Sequence, residues 1–219
     1  MMVKVKYMFF NGVKIFLVRF LWVGRVIYRR INRFRLKNRT VSVIASNCNG
    51  ACICHDLKLR FNSPFVNLWM EPQDFIKMLK SLKHYMTCEI RFIKIDKINY
   101  PVGQLDDVKL YFLHYKSEKE AREKWKERVS RINYDNLFIL FSDRDGCSLA
   151  DLHEFDQLPY NKKVVFVHKP VPSVKSAFYI RGFENENSVG MCMNYRSKYS
   201  IRKYYDDFDY VSWFNSISD

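Results

Sequence analysis

The run Leu137-Phe138-Ile139-Leu140-Phe141 is apolar at every position. A strand with one face in water would alternate, so an unbroken run this short reads as a strand covered on both faces. Lys163 to Val167 has the same character, Thr40 to Ala45 forms a first core strand, and Ala177 to Ile180 adds another. Strands of this kind need helices above and below them, and the intervening segments carry helical signals. Pro72 stands at a first helical position, followed by Phe75, Ile76, Leu79, Leu82 and Met86 at helical spacing. Ser117-x-x-Glu120 is a capping box that opens a helix to about Ile132. Ser148 caps a helix to Leu158, and Asp206 to Phe214 reads as a closing helix. Shorter strands are expected at Phe65 to Trp69, Glu89 to Ile95 and Val108 to Phe112. The order predicts an α/β fold: a mixed, largely parallel sheet flanked by helices.

The formal charge of +14 is unevenly placed. Residues 1–55 contain no Asp or Glu, and eleven of the 37 basic residues lie at or before Arg39, leaving 26 against 23 acids. The division expected is therefore a basic arm over 1–39 and one α/β domain over 40–219. On a helical wheel of residues 8–35, Lys14, Arg19, Arg25, Arg29, Arg30 and Arg33 share one sector. Phe9, Phe10, Val13, Phe16, Leu17, Phe20, Leu21, Ile27, Ile31 and Phe34 lie opposite, with Trp22 at the boundary or among the charges. No uncharged apolar stretch is long enough to span a bilayer, and the charges do not fit a secretory signal. The arm reads as an amphipathic helix on the inner face of the cell membrane. Arg19, Trp22, Arg25, Arg29, Arg30 and Arg33 would meet anionic headgroups. No specific nucleic-acid partner is expected, because the body has no matching basic groove. Six cysteines without an export signal place the chain in the reducing cytoplasm.

Val43-Ile44-Ala45-Ser46-Asn47-Cys48-Asn49-Gly50 passes from a buried strand to small polar residues around one cysteine. Strand, tight turn and helix are how many α/β enzymes present a nucleophile, so Cys48 is the leading catalytic residue. His114, after an alternating strand, is its expected base, with Asp106 or Asp107 orienting it. His55, Asn47 and His168 are secondary candidates. Asp143-Arg144-Asp145-Gly146 follows the buried strand and could hold a donor or a divalent ion. No glycine-rich dinucleotide fingerprint or phosphate-loop lysine is present, so neither NAD nor ATP in its usual cradle is expected.

The Cys48 loop with His55-Asp56-Leu57, Asn62-Ser63-Pro64, Tyr100-Pro101-Val102-Gly103, Asp143-Arg144-Asp145-Gly146-Cys147 and Phe208-Asp209-Tyr210-Val211-x-Trp213 resembles a bacterial domain-of-unknown-function family, number nineteen-nineteen. Asn49 and Ala51 stand where that family usually has an aromatic residue and a second glycine. The resemblance implies work in capsule, O-antigen or exopolysaccharide assembly. The expectation is thus a transferase acting on a saccharide or lipid-linked saccharide acceptor, with acyl transfer through Cys48 favoured. An acyl-CoA or a nucleotide sugar is the donor considered, and no metal is expected for the acyl route. Glycosyl or phosphoryl transfer centred on Asp143 and Asp145, or a non-catalytic assembly scaffold, are the alternatives.

Overall fold

A computed structural model describes residues 20–216. Helix α1 occupies residues 20–35. It is followed by β1 (Ser42–Ala45), α2 (Asn49–Leu57), α3 (Pro72–Lys80) and α4 (Leu82–Thr87). Next come β2 (Arg91–Ile93), β3 (Val102–Leu105), β4 (Val108–Tyr111) and α5 (Glu118–Val129). The chain closes with β5 (Leu137–Ser142), α6 (Leu149–Asp156), β6 (Lys163–Val167), β7 (Ala177–Tyr179) and α7 (Tyr210–Asn215). Strands β1, β5, β6 and β7 form a four-stranded sheet in that order, parallel at every pairing. The other three make a separate antiparallel meander, β2-β3-β4. The mixed character expected of one sheet is thus divided between two.

Alternate residues of the parallel strands feed two cores. Ile44, Ile139, Phe141, Val165 and Val167 point to one side, where α3, α4, α5, α6 and the meander cover them. Val43, Ala45, Phe138, Leu140, Val164 and Phe166 point to the other, against α2 and the C-terminal segment through Tyr205, Tyr210 and Phe214. Burial on both faces is why β5 carries no polar residue until Ser142. Gly50 lets α2 lie close on β1: a Cβ there would stand 2.7 Å from Ala45 Cβ and 2.9 Å from Val43 Cγ1.

Some expected elements take other forms. The helix begun at Pro72 breaks at Ser81 (φ −137°, ψ 44°) into α3 and α4. Phe65 to Trp69 is no strand: Asn67 takes φ 61°, and Trp69 alone bridges to Tyr111. The closing helix divides into a 3₁₀ turn at Tyr204–Asp207 and α7.

The orientation of α1 corrects the expectation of headgroup contact for Arg25, Arg29 and Arg33. Arg25 is buried and bridges Asp56 of α2 to Asp206 of the C-terminal 3₁₀ turn. Arg29 Nε lies 3.1 Å from Asp56 Oδ1, and Arg33 Nε donates to Asp56 O at 2.8 Å. Spacing of four residues puts these three on one stripe, and two acids from distant parts of the chain turn that stripe inward. Burial alone would push the Asp56 carboxyl up. The Tyr205 hydroxyl, which donates to it at 2.7 Å, and the charges of Lys203, Arg25 and Arg29 outweigh burial and hold it below its ordinary value. The opposite stripe faces solvent: Phe20 is 69% exposed, Ile27 50%, Ile31 54% and Phe34 92%, with Trp22 and Val23 also exposed. Arg30 is exposed, and Arg19 lies outside the described residues.

Candidate functional site

The four parallel strands end at one edge, and polar groups follow each strand end. After β1, Asn47 Oδ1 accepts from Asn49 N at 3.1 Å, while its Nδ2 donates to Ser142 Oγ of β5 at 2.6 Å. The Asn47 amide thus fixes the turn into α2 and ties β1 to its neighbour. After β5, buried Asp143 accepts three hydrogen bonds. Its Oδ2 takes the His168 backbone N–H at 2.8 Å and lies 2.5 Å from His168 Nδ1, and its Oδ1 takes Val189 N–H at 2.6 Å. His168 directly follows β6, so parallel pairing brings this histidine beside Asp143. With Nδ1 as the donor to Asp143, Nε2 becomes the basic nitrogen. Nε2 makes no hydrogen bond among the described residues, and the side chain remains 21% exposed. This is the geometry of an oriented base.

Cys48 begins α2 with helical backbone angles and is half-buried. A helix amino end lowers a thiol pKa, but burial wins here and pushes the Cys48 thiol up to about 11. Its sulfur lies 4.0 Å from Leu68 O, and no histidine bonds to it among the described residues. His114 follows β4, which belongs to the antiparallel meander. Its backbone N–H reaches Asn67 O at 3.4 Å, beside the loop that touches Cys48, but its imidazole is exposed and makes no hydrogen bond among the described residues.

Asp106 and Asp107 form the two-residue turn between β3 and β4, at the other end of β4 from His114. Asp107 pairs with Lys77 and accepts from the Tyr85 hydroxyl at 2.7 Å, while Asp106 lies 3.4 Å from His84 Nε2. They cannot orient His114, which corrects that pairing. His55 is exposed on α2, its Nδ1 3.8 Å from Asp56. Asp145 occupies the exposed turn at φ 58°, with Arg144 before it and Gly146 at φ 86° after it. Among the described residues no group of three or more His, Cys, Asp or Glu is placed to hold a metal ion. The structure therefore joins Asn47, Ser142, Asp143 and His168 at one edge, with Cys48 next to Asn47, while among the described residues His114, Asp106 and Asp107 make no side-chain hydrogen bond to them. Ser142 is the member that sequence reasoning missed; its signal was the first polar residue closing an apolar run.

The fold and this edge define an α/β protein whose polar side chains gather where parallel strands end, the usual ligand position in such sheets. The chain belongs to the family described as a domain of unknown function (DUF1919), which matches residues 22–215. It is 50% identical over 191 residues to an uncharacterized protein of Haemophilus influenzae, covering 87% of this chain and 92% of that relative.

Proposed function

We propose that this protein is a transferase of bacterial surface-polysaccharide assembly, working at the cytoplasmic face of the membrane with His168 as its general base. The observation that carries the reading is the Asp143–His168 pair at the carboxyl ends of β5 and β6, with Nε2 free of protein partners among the described residues. An oriented imidazole there is suited to take the proton of a saccharide hydroxyl as that oxygen attacks an activated donor. Direct attack fits this geometry better than a covalent route through Cys48, whose thiol pKa is pushed up by burial and which has no bonded base among the described residues. The polysaccharide context is what the family resemblance implies.

The membrane part of the reading is supported by α1. Among the described residues no helix is long and apolar enough to cross a bilayer. A stripe of Phe20, Ile27, Ile31 and Phe34 left in water is costly, whereas the interface of a bilayer would bury it. Exposed Arg30, Lys37 and Arg39 supply charge for anionic headgroups at its border.

The test is the composition of the surface polysaccharide from cells carrying His168→Gln or Cys48→Ser in place of the normal protein. His168→Gln is expected to give the polysaccharide of cells lacking the protein, with Cys48→Ser close to normal. Normal polysaccharide from the His168→Gln cells would rule out this reading.

A further inference from the structure

Beyond β7 the chain turns back along the same edge. Phe178, Tyr179, Arg181, Arg196, Arg202 and Asp207 line an open cavity of about 740 Å³. Three arginines line it, and two of them, Arg196 and Arg202, approach the one lining carboxylate, Asp207. Arg196 pairs with Asp207 and lies 5.2 Å over the Tyr204 ring. Arg202 lies 3.7 Å from Asp207 Oδ1 and donates to Asp206 O. Arg181 has no ion pair or side-chain hydrogen bond among the described residues. The other nearby acid, Glu184, accepts from the Tyr179 hydroxyl and from Gly182 N. The lining thus holds more positive charge than its carboxylate neutralises. Guanidinium groups suit phosphate oxygens because their planar N–H forks match them two at a time.

Position ties this cavity to the base. Ile180 N donates to Val167 O at 2.9 Å, so Arg181 and His168 leave the ends of adjacent strands together, and neighbouring strands lie about 4.8 Å apart. The segment that supplies Arg196 and Arg202 also packs on α1: Arg25 donates to Ile201 O at 3.1 Å, and Leu21 and Trp22 share a second cavity with Tyr195, Lys198 and Ser200. The arginines therefore stand between the base and the helix that carries the apolar stripe.

We infer that the Arg181–Arg196–Arg202 cavity binds the diphosphate of the activated donor. This rests on reading the strand-end edge as the transfer site. In the step itself the acceptor oxygen bonds to the transferred sugar carbon while its proton passes to His168 Nε2. The bond from that carbon to the diphosphate oxygen breaks, and the diphosphate leaves with the electron pair, its added charge met by the arginines. The shared chemistry is a diphosphate ester, carried by a nucleotide or by a polyprenyl lipid.

Calorimetric titration of the full chain with inorganic pyrophosphate tests this. Binding is expected, and Arg181→Gln and Arg202→Gln should each weaken it about tenfold or more, the scale of a charge-assisted contact. Arg181→Gln removes no hydrogen-bond or ion-pair partner among the described residues, so its circular dichroism should match the parent. His168→Gln should bind pyrophosphate normally. Displacement of pyrophosphate by UDP, or by vesicles containing a polyprenyl diphosphate, assigns the carrier. Absence of pyrophosphate binding, parent-like binding by both arginine variants, or displacement by neither carrier would overturn the inference. His168→Gln cells would still report on the base, so the two failures are distinguishable.

Discussion

Arg25 places one guanidinium between the carboxylates of Asp56 and Asp206, all three buried. An ion pair out of water contributes little net stability when complete, but removing one member leaves charge uncompensated and costs about 3–5 kcal/mol. Asp56→Asn should therefore lower unfolding free energy at neutral pH by about that amount, measured in urea. The pH dependence follows from the depressed Asp56 pKa. As pH falls, the unfolded state takes up this proton first, near 3.8, so the contribution is complete above that value and is lost through the lower, folded pKa. Acid titration of stability should show a shallower fall for Asp56→Asn than for the parent in that window. An equal slope would show that Asp56 is not the group responsible. Where β5 and β6 end, Asp143→Asn should act on His168 rather than on binding. Loss of the carboxylate frees the Nδ1 tautomer, so turnover should fall by roughly the 10²–10⁴-fold that general-base catalysis supplies, with acceptor affinity little changed.

Elements show what could be read from the chain and what could not. The buried strands were legible because residues covered on both faces leave no alternation, and β5 and β6 lie close to where their apolar runs end. Capping was equally legible: Ser148 accepts from Asp151 N and Asp151 returns the bond. His114 and His168 looked alike because each follows a strand, and only pairing tells that β4 belongs to the meander and β6 to the parallel sheet. The direction of α1 was hidden for a different reason. The wheel separates Arg25, Arg29 and Arg33 from the phenylalanines, but the acids that claim the arginines lie 31 and 181 residues away. Two predictions belong to this scale. Gly50→Ala should destabilise by about 1–3 kcal/mol through overpacking against Val43 and Ala45, read as a shifted urea midpoint. The double variant Ile27→Ser, Phe34→Ser should fold as the parent does, because both side chains are exposed. Co-sedimentation with anionic vesicles should weaken by about 100-fold or more, since each of the two lost apolar anchors is worth about 1.5–3 kcal/mol. Unchanged sedimentation would remove the membrane role of the stripe.

For the whole molecule, the helix and linker before β1 are built into the body. Arg35 pairs with Asp209, Asn38 Nδ2 donates to Phe214 O at 2.9 Å, and Asn215 Nδ2 donates to Arg35 O at 2.8 Å. Leu36 is buried with Tyr210 and Phe214 in the core beneath α2. A chain starting at Asn38 would lose Leu36 and strand Asp56 and Asp206 without Arg25. We expect it to unfold cooperatively at much lower urea, or not to fold at all, where simple removal of an appendage would leave the midpoint unchanged. Vesicle binding is for this reason better probed by point substitutions than by truncation.

The clasp between Arg25 and Asp206 also sets a timetable. The two residues are separated by 181 positions, and a ribosome adds about 5–20 residues each second. Arg25 therefore waits on the order of 10–40 seconds for its second carboxylate to be synthesised. For most of that interval α1 is outside the ribosome with its apolar stripe uncovered and Asp206 not yet available to Arg25. On the membrane reading proposed above, a nascent chain in this state would meet the bilayer before it closes on itself, and attachment to the lipid surface would precede completion of the fold.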